Sequence, residues 1–201
     1  MARRSDHTRE ELTEMALESA RAIVVENGVS ALSGRKITAR MGYTVGTLYQ
    51  LFDNMDELVC TMNARTLRAL YKRCLENSAT GSVADRLRAF GMTFVTFVEN
   101  HSNEWEAVMS YRYGERHVFT EEYDARIREL FGLMREATDQ FYSETERAEQ
   151  SADMAVLWAS LTGILSVAVS ERQVGGLTLE QMLDRLIQMY LSGRTGIRFD
   201  Q

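Results

Sequence analysis

The 201-residue chain contains no proline. Proline is the residue that most reliably interrupts a helix, so only glycine and short polar stretches are left to punctuate long helical segments. Cysteine is nearly absent. Cys60 and Cys74 fall on one predicted helix, and at about 1.5 Å rise per residue they stand roughly 21 Å apart, too far for a disulfide within the chain. They read as two reduced, partly buried thiols. No paired-Cys zinc pattern, no HExxH and no Gly-rich phosphate loop occurs. The three histidines, His7, His101 and His117, are not spaced with carboxylates as in the Glu-x-x-His pairs of di-iron bundles. These absences argue against an enzyme and against a metal or other cofactor. No apolar run reaches the roughly 18 residues that a membrane helix requires. The start, MARRSDHTREEL, has no apolar stretch after its arginines, so it is not a signal peptide. A cytoplasmic protein with no membrane partner is expected.

Strand-like alternation is also missing, and helical periodicity runs nearly throughout. The chain is 45% apolar, enough for a substantial core. An all-α protein of about nine helices follows. Helix one spans Thr8 to Glu26, with Leu12, Ala16, Ala20 and Ile23 on one face. Two short helices follow, Gly34–Met41 and Val45–Leu51. Helix four runs from Asn54 to Glu76 and ends at NSATGS. Helix five is Val83–Asn100, capped by Ser82. Helix six covers Glu104–Tyr113, and Gly114–Phe119 reads as a loop. Helix seven is Glu121–Tyr142 and helix eight Arg147–Arg172. Helix nine begins at Thr178, with Gln181 completing a capping box. From Ser192 a polar, frayed tail is expected. The domain boundary is placed at residues 54/55, with helix four as the link between an N-terminal domain and the rest.

The two short helices organise the reading. Ser33 and Thr44 are placed as their N-caps, and Gly42 supplies the left-handed residue that ends the first. Two helices joined by such a turn make a helix-turn-helix. From Asn27 to Phe52 there is no Asp or Glu, while Arg35, Lys36 and Arg40 are present. The chain as a whole carries a net charge of -6, and residues 1–60 hold 7 Lys+Arg against 9 Asp+Glu. Carboxylates are therefore kept off this one surface, as phosphate contact requires. The run ITARMGYTVGTLYQLF followed by DNMDEL resembles the DNA-binding domain of TetR-family bacterial transcription regulators. Ile37, Gly42, Gly46, Thr47, Leu48, Tyr49, Phe52 and Leu58 all stand in register with it.

The second short helix would lie in the major groove with its N-terminal residues at base edges. Those are Thr44, Val45, Gly46 and Thr47. Gly46 leaves room for close approach, Thr47 offers a hydroxyl, and the methyls of Val45 suit a thymine methyl. The resemblance implies that Tyr49 gives its hydroxyl to phosphate. Ser33, Arg35 and Lys36 are expected to face the DNA backbone, with a plain solvated face as the competing reading for the two cations. Arg3 and Arg4 belong to a loose arm that suits phosphates or the minor groove, with a disordered terminus as the competing reading. Where family members often carry lysine, this sequence has Val45 and Met55, so the expected phosphate contacts are either fewer or shifted toward Arg3, Arg4, Arg35, Lys36 and Arg40.

The resemblance also makes residues from about 60 onward a ligand-binding and dimerisation region. Trp158, Thr162 and Gly163 resemble a Trp-x-x-x-His-Gly mark of one C-terminal subgroup, with Thr in place of His. Large, adaptable apolar side chains with few polar groups suit a small-ligand site. Trp105, Met109, Tyr113, Phe131, Met134 and Trp158 are the candidate lining, with Arg112 or His117 at the mouth. Ordinary bundle core is the competing reading for each. Helix eight is apolar nearly all round between Met154 and Val169, so it needs cover on more than one side. Pairing of helices eight and nine across a two-fold axis supplies it. Trp158, Leu161, Leu165, Val169, Met182, Leu186, Met189 and Tyr190 are the candidate interface.

The expected protein is a homodimeric repressor of a palindromic double-stranded DNA operator, released by a small apolar or aromatic effector. An effector-independent architectural or division factor of the same fold and a helical-bundle enzyme are the alternatives.

Overall fold

The structure is a computed structural model that describes residues 7–112, 120–169 and 175–196. Among these residues there are nine α-helices and no strand: α1 (Arg9–Asn27), α2 (Gly34–Met41), α3 (Val45–Leu51), α4 (Met55–Glu76), α5 (Val83–Asn100), α6 (Ser102–Arg112), α7 (Glu121–Thr138), α8 (Arg147–Val169) and α9 (Leu179–Gly196). Contacts group the chain into two compact units, Met1–Arg68 with His101–Arg126, and Ala69–Asn100 with Ile127–Gln201. This grouping does not follow a single cut at residue 54, because α6 packs onto α1 and so joins the first unit.

The first unit is built around α1. Its Ala16, Leu17, Ala20, Ile23 and Val24 recur at helical spacing and meet Ile37 and Met41 of α2, Leu48 of α3, Phe52, Leu58 and Met62 of α4, and Ala107 of α6. Each fully buried aliphatic side chain here contributes about 1.5–3 kcal/mol. Small residues on α1 let the short helices approach closely. A capping box at Thr8 and Glu11 starts α1. At the start of α4 the Glu57 amide donates to Asn54 Oδ1 at 2.9 Å, and the Glu57 carboxylate accepts from the Asp53 amide. Polar ties fix α6: Asn103 donates to the Val25 carbonyl at 2.9 Å, and Asn63 of α4 donates to the Ala107 carbonyl at 3.0 Å. Arg21 of α1 donates to Glu104 at 2.7 Å, and His101 Nδ1 lies 2.8 Å from the other carboxylate oxygen.

In the second unit α5, α8 and α9 pack together. Trp158 lies against Phe94 and Phe131, with ring centroids 5.5 and 5.1 Å apart. A Cβ added at Gly91 of α5 would meet Leu183 of α9 at 2.5 Å, so any larger residue there would force the buried Leu183 side chain to move. Arg88 of α5 forks onto Asp184 and also bonds Glu180, both on α9. The cap expected at Ser82 is formed, with Asp85 returning a bond to the Ser82 amide, and so is the capping box expected at Thr178 and Gln181. Burial pushes the Cys74 thiol up to about 12, so it stays protonated and unreactive. Cys60 is buried as well.

Several sequence expectations change. Helix α7 stops at Thr138, and a 3-10 turn (Asp139–Phe141) replaces its predicted last turn. The tail beyond Ser192 is not frayed, since α9 continues to Gly196. Arg194 explains this, with its guanidinium 4.0 Å from the Tyr142 ring centroid and bonded to Glu149 and to the Phe141 carbonyl. The apolar surface of α8 is also apportioned differently. Leu161 and Leu165, expected at a subunit interface, are 3% and 0% exposed within their own chain. The large side chains Met154, Leu157, Trp158, Leu161 and Leu165 turn inward, while Ala152, Ala155, Val156, Ala159 and Gly163 face out. A helix apolar on all sides gives no periodic signal to tell these faces apart. On α9, Met182 and Leu186 are half-buried and Met189 is exposed, whereas the Tyr190 hydroxyl lies 2.9 Å from that of Tyr142. The side chain of Val169 lies outside the described residues.

The two glycines Gly91 and Gly132 offer a matched test. Alanine gains about 1 kcal/mol of helix propensity over glycine, but overpacking a core costs about 1–3 kcal/mol. A Cβ at Gly132 would have nothing within 4 Å. Gly132→Ala should therefore leave stability unchanged or raised in denaturant unfolding, and Gly91→Ala should lower it.

Candidate nucleic-acid interface

The local chemistry of residues 33–52, which hold no Asp or Glu, builds a face with exposed cations. Ser33 Oγ accepts from the Lys36 amide at 3.4 Å and caps α2. Gly42, at φ 76 and ψ 25, adopts the left-handed conformation that ends α2 and turns the chain. Thr44 Oγ1 then accepts from the Thr47 amide at 3.3 Å and caps α3. Leu48 is 1% exposed and anchors α3 to the core. With that side buried, the opposite side faces solvent: Thr44, Gly46, Tyr49 and Gln50 are exposed, and Val45 and Thr47 are half-buried.

Each candidate residue has a definite place. Tyr49 is 51% exposed, one of few large apolar side chains left in water. Its hydroxyl lies 3.9 Å from where a Cβ on Gly34 would stand, so it sits over the N-terminus of α2. The Tyr49 hydroxyl thus stands near the first residue of α2, the kind of helix terminus that suits an anion. Arg35 and Lys36 are exposed beside it, and neither forms an ion pair among the described residues. A Cβ on Gly46 would meet only Thr44 Oγ1, at 3.7 Å. The fold therefore does not need glycine there, and the missing side chain matters only to something docking from outside. Arg3 and Arg4 lie outside the described residues.

Arg40 departs from its expected role. It forks onto Glu26, with bonds of 2.7 and 3.0 Å, and this pairing holds the Glu26 carboxyl below the usual carboxylate range. Its charge is neutralised locally, which leaves Arg35 and Lys36 as the unpaired cations of the motif. One contact was not legible in the sequence: His7 Nδ1 lies 2.7 Å from the Tyr43 hydroxyl and so pins the start of the chain to the turn.

The candidate ligand residues divide between the units. Trp105, 2% exposed, and Met109, half-buried, belong to the first; Phe131, Met134 and Trp158 belong to the second. Met134 and Trp158 are core residues at 2% exposure, while Phe131 lines a cleft of about 470 Å³ with Ile127, Gly132 and Met154. Tyr113, His117 and the side chain of Arg112 lie outside the described residues.

Residues 16–60 match the family model described as bacterial regulatory proteins, tetR family, and residues 87–190 match that of the Tetracyclin repressor-like, C-terminal domain. This chain belongs to the TetR family. It is accordingly a DNA-binding transcription regulator, and its helix-turn-helix is α2 and α3. Solved TetR structures share the fold over nearly the whole chain. A TetR transcriptional regulator from Rhodococcus sp. RHA1 superposes with a TM-score of 0.69 at 14% identity, covering 90% of this chain and 97% of the other. A tetR-family transcriptional regulator from Streptomyces coelicolor gives 0.67 at 15% identity, covering 91% and 80%. The regulator FadR from Bacillus subtilis, in complex with stearoyl-CoA, gives 0.67 at 10% identity, covering 90% and 98%. Among the described residues, no helix is long and apolar enough to cross a membrane.

The roles expected for Tyr49 and Thr47 differ in what their loss would do to DNA binding. Tyr49→Phe should weaken binding to all sequences alike, because phosphate contacts position without reading sequence. Thr47→Ala should relax discrimination at one base position, at about 1–3 kcal/mol for a good contact. A gel-shift series over operator variants reads both, and unchanged affinity in both proteins would overturn the docking. With only Arg35 and Lys36 free in the motif, the salt slope should be shallow, since it scales with the phosphates neutralised.

Proposed function

We propose that this TetR-family protein is a homodimeric repressor that binds a palindromic operator and is released by a small apolar or aromatic ligand. The observation that carries the DNA side of this reading is the exposed Tyr49 hydroxyl poised over the N-terminus of α2, flanked by unpaired Arg35 and Lys36. One such motif reads one half-site, so a palindrome calls for two copies.

Support for the dimer comes from the outer face of α8. Ala155, Ala159 and Gly163 repeat at four-residue spacing with Val156 beside them, and Val156 and Met189 of α9 are 64% and 65% exposed. Small residues on a helix face let a partner helix approach closely. Met182, Leu186 and Met189 share one face of α9 and complete the candidate surface, and the role first expected for Leu161 and Leu165 passes to Ala155, Ala159 and Gly163.

Support for a ligand comes from the cleft beside Phe131. Behind Phe131, the Trp158 indole N–H is buried without an acceptor among the described residues. A buried donor lacking a partner carries a desolvation penalty of about 1–3 kcal/mol, which a ligand acceptor would remove. That the FadR structure holds stearoyl-CoA supports a ligand-responsive role for this fold.

Chain connectivity supplies the coupling. The two units are joined inside α4 at residues 68/69, between α5 and α6 at 100/101, and inside α7 at 126/127. A ligand that prefers one arrangement of α7 shifts the population of the whole chain toward it. The joint at α6 carries that shift to Glu104 and α1.

Small molecules retained by the natively purified protein, identified by mass spectrometry, should release operator DNA when added back. The Phe131→Ala protein should still bind the operator but require about tenfold more ligand, equivalent to about 1.4 kcal/mol. Operator binding that is unchanged at saturating ligand would favour the effector-independent reading.

A further inference from the structure

A second cleft in the Ala69–Asn100 and Ile127–Gln201 unit holds a charge that has no ion-pair partner among the described residues. The cleft, about 250 Å³, is lined by the C-terminal end of α4 and the linker after it (Cys74, Leu75, Ser78, Ala79), by Arg86 and Phe90 of α5, and by Leu133, Glu136 and Ala137 of α7. Arg86 sits in the first turns of α5, half-buried, and its Nε is shielded from solvent with no hydrogen-bond partner. No ion pair of Arg86 occurs among the described residues. Guanidinium does not lose its proton in proteins, so the group cannot escape burial by becoming neutral.

The carboxylates around Arg86 are engaged elsewhere or stand off. Asp85 is tied to Ser82, its Oδ2 accepting from the Ser82 amide at 3.0 Å and from the hydroxyl at 2.7 Å. Glu76 lies within 3.9 Å of Lys72 and 3.7 Å of Arg73. Glu136 shares the cleft but does not come within ion-pair distance of Arg86. Apart from Ser78, the remaining wall is apolar or thiol. Phe90 and Ala137 are buried, and Leu75, on the rim, is 46% exposed, an unusual state for a large aliphatic side chain.

We propose that this cleft is a binding site for a small organic monocarboxylate. Its carboxylate would accept a two-pronged bond from Arg86, the geometry for which a planar guanidinium is suited. Its short aromatic or aliphatic body would cover Leu75, Phe90, Leu133 and Ala137. The volume lies below the roughly 300–1,000 Å³ of sites for larger ligands, so the occupant is fragment-sized. Glu136 sets the charge: one cation facing one carboxylate accommodates a monoanion and disfavours a dianion. The cleft shares no residue with the one beside Phe131, and this proposal does not depend on the repressor reading.

Isothermal titration of the full chain, without DNA, tests it with benzoate, benzyl alcohol (the same ring without the charge) and terephthalate (the same ring with a second carboxylate). Wild type should bind one benzoate per chain, and Arg86→Gln should weaken it by about tenfold or more while leaving any benzyl alcohol binding unchanged. Terephthalate should bind more weakly than benzoate, and Glu136→Gln should recover it; this arm needs no change at Arg86 and holds if Arg86→Gln fails to fold. No benzoate binding up to about 10 mM, a Kd that would correspond to less than about 3 kcal/mol, would overturn the site. So would benzoate affinity equal to that of benzyl alcohol, or benzoate affinity unchanged in folded Arg86→Gln.

Discussion

The Glu104 carboxylate is 8% exposed and carries two partners, Arg21 of α1 and His101 at the head of α6. A carboxylate so far from water is tolerable only when paired and hydrogen-bonded. The position of α6 against the helix that carries the DNA-binding core is therefore not free to vary. Removing one partner of a buried pair costs roughly 3–5 kcal/mol, with the exposure of Arg21 keeping this case toward the lower end. Around that tie, Asn103 and Asn63 add bonds from α6 to α1 and from α4 to α6. The helix-turn-helix inherits its orientation from α1 through Leu48 and Ile37. Through Ala107, α6 therefore packs into the same core as the two helices of the motif.

The DNA-facing half was largely legible in the sequence because its information is local. Ser33, Gly42 and Thr44 act through their own backbone neighbours, so their caps and turn could be placed from spacing alone. Tyr49 and Gly46 were assigned from a motif, and the structure adds what spacing cannot: the Tyr49 hydroxyl beside the first residue of α2, and room for a Cβ at Gly46 with only Thr44 Oγ1 nearby. Arg40 shows the limit. Its partner Glu26 is 14 residues earlier, at the far end of α1, and no local pattern announces that the two meet.

The rest of the chain was legible as helices but not as faces. Expectation and structure agree on the start of α5 and on the first turn of α9, where capping boxes give a local signal. They part at α8, where alanine, glycine and leucine alternate without a polar stripe, so the inward and outward sides carry no distinguishing period. Side-chain size decides the matter: leucine and tryptophan fill the space toward Phe94 and Phe131, and alanine and glycine are left outside. The end of α9 was likewise invisible, because Arg194 is held by Tyr142, Phe141 and Glu149, all some 45 residues or more away in sequence. Arg86 escaped notice for the same reason: only the assembled cleft shows that its charge has no ion-pair partner among the described residues.

The central claim is that two copies of the helix-turn-helix, joined through the small-residue face of α8, act on one stretch of DNA. Selection of binding sites from random duplexes, followed by sedimentation of the recovered complex, tests it most directly. The account predicts palindromic sites with half-sites about one helical turn apart, or a multiple of it. It also predicts two chains per duplex for the wild type, and loss of that complex with a monomeric protein for Ala159→Glu. Recovery of sites without two-fold symmetry, bound by one chain each, would contradict it.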